Sequence, residues 1–435
     1  MSSNRSPTSP VPQSSPSPTP TPESFSQGST SGRESLSKSA TRTPPIELTE
    51  TPSPQWIVHS SEDTGTDTDT SSDTSKKMII IDAEKFQLAK VLGEGSFGRV
   101  YSIVGENGKQ FAAKLFKKKN DSDDCDGDDS IRAETEIFCR LGSSSHSSVL
   151  RMYKTGMVQD PPTGFFHNVL LMPEVGDSIG DVFEKAKKLD AKFRNQNCSG
   201  YERTPKVSMK MNAIQLIGKQ ICEGVEFLSR HHIFHRDLKP HNVFFTKKIG
   251  FAMEHNAGRF SFVLPKHLSI KIGDFGEAKI ITNWDFDPET VQTKGYRAPE
   301  IFLGISFKSN SDVWSTALTV LELYVGMDIF QTRGGSVPWE IERIRSIQHV
   351  LGQRINTELW KEAEQQAGGE DIRENLVLFD EGKCSSDLPT LMEHKRSYHA
   401  DSLFEFVQFA LIIDYNHRPS FQDLSSHYFF KTTKN

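Results

Sequence analysis

Residues 233–245 read IFHRDLKPHNVFF. Three side chains in this otherwise apolar stretch could work together. The carboxylate of Asp237 can orient an attacking hydroxyl or take its proton, and Lys239, two residues on, can neutralise a transferring phosphoryl group. Asn242 supplies a carboxamide oxygen that suits a hard cation such as Mg2+. A polar loop capped by Asp and Asn would account for one or two of these residues, but not for the set. KIGDFGEAK (271–279) follows, ending an apolar strand. Asp274 there can ligate a Mg2+ that bridges nucleotide phosphates, while Phe275 packs and Gly276 lets the chain turn.

Upstream lies GEGSFG (93–98): Gly93, Glu94, Gly95, Ser96, Phe97 and Gly98. The motif alone fits a dinucleotide turn, a phosphate loop or a plain turn. In a dinucleotide-binding unit the third glycine opens a helix. Here RVYSIV follows, whose β-branched and aromatic residues favour a strand. The glycines therefore sit in a hairpin, where bare backbone N–H groups can approach phosphate oxygens. Lys114 follows in FAAKLF, on a strand that is otherwise apolar. It could snorkel to solvent or pair with an anion. The next helix, IRAETEIFCRL (131–141), offers Glu134 and Glu136. Glu134 lies three and four residues before Ile137 and Phe138 and shares their face, so the expected pair is Lys114–Glu134, with the ammonium held where it can meet phosphate.

The elements that must position these residues fall into two groups. FQLAKVLGEGSFGRVYSIV (86–104), KQFAAKLF (109–116) and NVLLM (168–172) read as strands. Helical patterns come later, as in AIQLIGKQICEGVEFLSRH (213–231), with Ile214, Ile217, Ile221, Val225 and Leu228 at helical spacing. Strands first and helices afterwards predict an α+β chain with a small β-rich lobe (about 86–173) and a larger helical lobe (about 177–430), together a domain over 78–432. Residues 1–77 are a Ser/Thr/Pro-rich and acidic tail, read as disordered, with Ser-Pro and Thr-Pro steps at Ser6, Ser9, Ser15, Ser17, Thr19, Thr21, Thr43, Thr51 and Ser53. The tail reads as an extended linker and as a target for proline-directed phosphorylation.

Across 435 residues the net charge is −6, so there is no broad basic field for nucleic acid. The five cysteines are scattered and include no CxxC pair, which points to reduced thiols rather than a disulfide framework. MSSNRSPTSP has no apolar core and is not read as a secretory signal. The longest apolar run, VWSTALTVLELYVG (313–326), contains Glu322 and reads as a buried helix, not a membrane span.

GEGSFGRV, FAAK, HRDLKPHN, DFG and YRAPE (296–300), in that order, resemble a eukaryotic protein kinase, and the likeness runs from about Phe86 to Phe430. It implies the bilobal kinase fold and an ATP-dependent transferase that phosphorylates protein hydroxyls using Mg2+. On this likeness Gly93, Glu94, Gly95, Ser96, Phe97, Gly98, Val100 and Glu174 line the nucleotide site, and Lys114 contacts the α- and β-phosphates and Glu134. Asp237 is the catalytic base, Lys239 assists at the γ-phosphate, Thr293 contacts Asp237 and Lys239, and Asn242 and Asp274 hold the metal. Glu300 is expected to pair with Arg418, and Asp312 to brace the catalytic loop. DLKPHN is similar to the Ser/Thr form of that loop, with His241 where Glu is common.

YRAPE, LELYVGMDIFQT (321–332) and IERIRSIQHVLG (341–352) are similar to the LAMMER kinases of the CMGC group. The namesake motif is degraded here to WEIERIRSIQHVLG, Arg236 stands where LAMMER kinases usually carry Thr, and DFGEA replaces DFGSA. The resemblance implies a Ser/Thr or dual-specificity kinase acting on Arg/Ser-rich nuclear proteins; the rivals are a proline-directed kinase of the same group and an inactive scaffold. Arg236 is expected to meet either a phosphate on the segment 277–297, at Thr282, Thr290 or Tyr296, or acidic neighbours such as Asp285 or Glu289. The acidic run NDSDDCDGDD (120–129) reads as a solvated loop that could attract basic substrates. The expected chain is a monomer, nuclear or cytoplasmic, with protein substrates and no nucleic-acid or membrane partner.

Overall fold

The computed structural model describes residues 56–59, 78–81, 84–94, 98–116, 126–159, 166–199, 206–248, 250–255, 260–282, 290–332, 337–367, 386–393 and 398–431. A four-residue strand, β1 (Trp56–His59), lies within the tail and is taken up below. The small lobe is an antiparallel sheet in the order β2 (Met78–Ile81), β3 (Glu84–Glu94), β4 (Gly98–Gly105), β5 (Gln110–Phe116), β7 (Phe166–Pro173), β6 (Lys154–Gln159). Its core gathers Ile81, Phe86, Ile103, Ala113, Val158 and Val169. Ala112–Phe116 of β5 are buried without alternation, as in strands covered on both faces. Sheet core lies on one side; on the other, Phe116 packs with Ile131 of helix α1 (Asp126–Leu141). That enclosure is why Lys114 is buried.

α1 begins at Asp126, five residues before the helix expected at Ile131 and inside the run read as a loop. Acidic residues at a helix N-terminus complement its dipole, which favours this earlier start. The rest of that acidic run lies outside the described residues.

At the start of β4 the backbones of β4 and β5 come very close. A Cβ on Gly98 would stand 2.0 Å from the carbonyl oxygen of Leu115, on the neighbouring strand. Gly93, by contrast, has nothing within 4 Å of such an atom. Gly98→Ala is therefore expected to cost about 1–3 kcal/mol of stability and Gly93→Ala within about 0.5 kcal/mol, read from urea unfolding.

The large lobe is built on α2 (Ile179–Asn197), β8 (Val207–Met209), α3 (Met211–Arg230), α4 (Pro299–Phe302), α5 (Ser311–Val325) and α6 (Trp339–Leu351), with further helices at Thr357–Ala367, Leu388–Glu393, Tyr398–Ala410 and Phe421–Ser426. The helical spacing read in α3 holds: Ile214, Ile217, Ile221, Val225 and Leu228 are all buried. α2 opens with a reciprocal cap between Ser178 and Asp181. α5 is buried along nearly its whole length, as its apolar run requires, and stops at Gly326 in a left-handed conformation, with φ +75°. No described helix is long and apolar enough to cross a membrane.

Short strands complete the lobe: β9 (Ile233–Phe234) pairs with β14 (Lys279–Ile280), and β10 (Val243–Phe245) with β13 (Ile270–Ile272). Between β10 and β13 the chain makes a hairpin absent from the sequence reading, β11 (Phe251–Glu254) and β12 (Ser261–Pro265), set in a four-stranded sheet ordered β1, β11, β12, β8.

Candidate active site

β5, α1 and the turn after β13 converge on one ammonium group. Lys114 Nζ donates to Glu134 Oε1 and, at 3.0 Å, to Asp274 Oδ1. Lys114 and Glu134 are buried, so the helix-face reasoning picked the right glutamate. Burial alone would pull the lysine pKa down; the carboxylates of Glu134 and Asp274 outweigh it and hold it above the ordinary value. For Asp274, burial pushes up and the Lys114 charge pulls down, and the lysine wins. Lys114 and Asp274 are thus held charged, while burial pushes the Glu134 pKa up against the pull of Lys114.

The second half of the site is the loop between β9 and β10. Asp237 Oδ1 accepts from the backbone N–H of Thr293 at 2.9 Å and from its hydroxyl at 2.6 Å. Oδ2 accepts from Lys239 Nζ at 2.7 Å and from Asn242 Nδ2 at 3.2 Å. Lys239 also donates to Thr293 Oγ1 at 2.7 Å, and Asn242 Nδ2 to the Asp237 carbonyl at 2.8 Å. Asp237, Lys239, Asn242 and Thr293 therefore stand together.

Two residues of the site hold an uncommon backbone: Arg236 in this loop and Asp274 after β13 have φ of 61° and 60°. Such conformations cost of order 1–3 kcal/mol each and persist where surroundings over-determine them. Asp312, at the start of α5, provides this by accepting from the backbone N–H of His235 at 2.6 Å and of Arg236 at 3.1 Å. Burial pushes the Asp312 pKa up, against the pull of His235 and its backbone donors. The His235 ring bonds the carbonyl of Gly273 at 3.0 Å, and Phe275 packs edge-on against Phe138 of α1, with centroids 5.5 Å apart. Helix, metal-site loop and catalytic loop are thereby one packed unit.

The segment after Asp274 is anchored by a residue absent from the sequence reading. Gln292, buried with φ 70°, accepts from Ala298 N–H at 2.8 Å and donates to the Ser311 carbonyl at 3.3 Å. Arg297 donates to the carbonyls of Val291 and Gln292. Glu300 and Arg418 form the expected pair, two bonds of 2.7 and 2.6 Å with both side chains fully buried.

Other expectations fare differently. Arg236 is only 3% exposed, its guanidinium 5.8 Å from the Phe307 ring; Asp285 and Glu289 lie outside the described residues. Thr282 and Thr290 are exposed. Tyr296 donates its hydroxyl to Glu322 Oε2 at 2.5 Å, and burial, with that carboxylate, pushes its pKa far up. Glu174, at the end of β7, turns its carboxylate away to the Ser102 hydroxyl (2.7 Å) and to Lys248, so at a nucleotide it would offer backbone and not charge. In the glycine hairpin, Gly93, Glu94, Gly98 and Val100 are placed on β3 and β4. Glu94 forms an ion pair with Arg99 at 2.8 Å. Gly95, Ser96 and Phe97 lie outside the described residues.

The donor set fits Mg2+. Asn242 commits its N–H2 group to Asp237, which leaves its carbonyl oxygen for a cation, and Asp274 offers carboxylate oxygen. Among the described residues no cluster of three or more His, Cys, Asp or Glu side chains could cage a metal. One or two protein oxygens, with nucleotide phosphates completing the shell, is the usual way Mg2+ is held.

Comparison with known proteins agrees with this geometry. The model of the protein kinase domain family matches residues 86–430. Dual specificity protein kinase CLK4 of Homo sapiens is 27% identical over 279 residues, covering 62% of this chain and 49% of that protein. Dual specificity protein kinase CLK1 of Homo sapiens is 25% identical over 373 residues, covering 80% and 66%. Serine/threonine-protein kinase AFC3 of Arabidopsis thaliana is 24% identical, covering 62% and 60%. The chain spans about half the length of the first of these relatives. A crystal structure of a kinase domain superposes with a TM-score of 0.64 at 20% identity, covering 82% of this chain and 98% of that one, which shows the shared fold. The LAMMER likeness read from the motifs thus meets CLK-type relatives, and on the match across residues 86–430 this chain belongs to the protein kinase domain family.

Proposed function

We propose that this protein is an active Ser/Thr kinase, able also to use Tyr, that transfers the γ-phosphoryl group of ATP to protein hydroxyls. One observation carries the reading: Asp237, gripped through both oxygens by Thr293, Lys239 and Asn242, belongs to the same packed unit as the Lys114–Glu134–Asp274 group. Loss of any of these residues would have favoured an inactive scaffold, and all are present and engaged.

Phosphoryl transfer asks mainly for positioning and charge neutralisation. Lys114 takes the α- and β-phosphates, and the backbone of the β3–β4 hairpin covers them. Mg2+, when bound through Asn242 and Asp274, supplies charge neutralisation along the phosphates. Asp237 orients the acceptor hydroxyl and receives its proton, its carboxylate unable to rotate because both oxygens are held. Lys239 neutralises the group in transit. Asp274→Asn is expected to weaken Mg2+-dependent binding of a fluorescent ATP analogue by about tenfold or more, since it removes a cation ligand and one carboxylate partner of Lys114. Equal binding would remove Asp274 from the metal site.

Buried Arg236 and the Gln292 and Arg297 anchors support activity without a phosphate on the segment 277–297. Phosphatase treatment is expected to leave the rate within about twofold; a collapse of activity would make a modified Thr282 or Thr290 necessary. For substrates, the LAMMER likeness of the motifs implies basic, Arg/Ser-rich protein sites, met by the enzyme as a monomer in nucleus or cytoplasm. A peptide library decides the matter: enrichment of Arg around the acceptor supports this class, and Pro directly after the acceptor supports the proline-directed rival.

A further inference from the structure

The sheet that carries the β11–β12 hairpin is completed by a strand from the tail. β1 runs antiparallel to β11 in continuous register, with Trp56, Ile57, Val58 and His59 opposite Glu254, Met253, Ala252 and Phe251. We infer that the outer edge of β11 is a strand-docking site whose occupant is Trp56–His59 of the same chain, so that the Ser/Thr/Pro-rich tail is latched reversibly to the large lobe.

The receiving edge is built independently of its occupant. β12 pairs with β11 on one side and, in parallel, with β8 on the other. A buried polar cluster fastens the hairpin to α2. Asp190 accepts from Ser261 Oγ at 2.5 Å, from Arg194 Nε at 2.6 Å and from Lys206 N–H at 2.8 Å. The His255 ring stacks on Phe193, with centroids 4.4 Å apart. Without β1, this rigid edge would present a row of unpaired N–H and C=O groups, a ready template for another strand.

The occupant has the features of a docking segment. Trp56-Ile57-Val58 is the one run of three apolar residues before Met78, and two of the three are β-branched. Pro52 and Pro54 precede it and cannot donate to a ladder, while Ser60, Ser61, Glu62 and Asp63 follow. The pairing is thus limited to a few residues, short enough to release. Eighteen residues, 60–77, tether it to β2, which favours docking in cis over docking from a second copy.

Hydrogen–deuterium exchange of the full-length chain tests this. Ser261 bonds towards β8, so Ala252 and Glu254 bond β12, while Phe251 and Met253 face His59 and Ile57 of β1. Ile57→Pro therefore removes a backbone donor from the β1–β11 ladder and leaves β11, β12 and β8 unaltered. In that variant the amides of Phe251 and Met253 are expected to exchange about tenfold faster or more, while those of Ile270–Ile272 stay protected as a record of intact folding. A synthetic peptide of residues 53–62, SPQWIVHSSE, added in trans is expected to restore protection; the same peptide with Pro at the Ile57 position is not. Three results would overturn the inference: unchanged protection of Phe251 and Met253 in Ile57→Pro, equal rescue by the proline peptide, or wild-type protection that rises with protein concentration, which would assign the strand to a second copy.

Discussion

Asp237→Asn is expected to lower peptide phosphorylation about 10²–10⁴-fold at saturating ATP, the usual worth of a positioned general base. The substitution keeps the shape of the side chain and changes its hydrogen bonding. Both carboxylate oxygens face donors: the Thr293 N–H and hydroxyl on one, Lys239 and Asn242 on the other. Whichever way an amide is turned, its N–H2 group meets donors, and the negative charge that attracts the hydroxyl proton and pairs Lys239 is gone. Lys114, Glu134 and Asp274 are untouched, so ATP affinity is expected to stay within about threefold of wild type; the loss falls on the chemical step. Single-turnover assays with a basic Ser peptide, alongside nucleotide binding, separate the two. Full turnover in the variant would take the role away from Asp237.

Arg418→Ala is expected to cost about 3–5 kcal/mol of stability, because it strands a charge in the core. Glu300 and Arg418 are both fully shielded from solvent, joined by two bonds, with Ser311 Oγ adding a third to Glu300 at 2.5 Å. The guanidinium also lies 5.2 Å from the Trp314 ring, so truncation removes packing as well as charge. The double variant Glu300→Gln, Arg418→Met replaces the stranded carboxylate by a neutral group and fills much of the volume. It is expected to recover more than half of the loss, which urea unfolding of the wild type and the two variants would show. Equal destabilisation of single and double variants would mean that shape, not charge, sets the cost.

The site was legible in the sequence where its residues are close along the chain or share a helix face. Asp237, Lys239 and Asn242 fall within one loop, and Glu134 was chosen over Glu136 by its phase relative to Ile137 and Phe138. What escaped depends on partners far away in sequence. Gln292 looks like an ordinary polar residue of a loop; its role arises from a left-handed backbone and from Ser311 on another element. Glu174 was set at the nucleotide only by the kinase likeness, and the hold of Ser102 and Lys248 on its carboxylate has no local signature. For Arg236, the grip of Asp312 on its backbone and the place of its buried guanidinium beside Phe307 depend on distant elements in the same way. The β11–β12 hairpin and β1 were missed for one reason. Their four- and five-residue runs gain stability only from pairing with one another and with β8, which no local pattern announces.

The central claim is that Lys114, Asp237, Asn242 and Asp274 act together to move a phosphoryl group. Incubating the purified full-length chain with γ-labelled ATP and Mg2+, with and without an Arg-rich Ser peptide, tests it most directly. The account predicts label on the peptide in the presence of Mg2+, lost on chelation and in Asp237→Asn. A chain that binds Mg2+ and ATP yet labels no protein or peptide would contradict it.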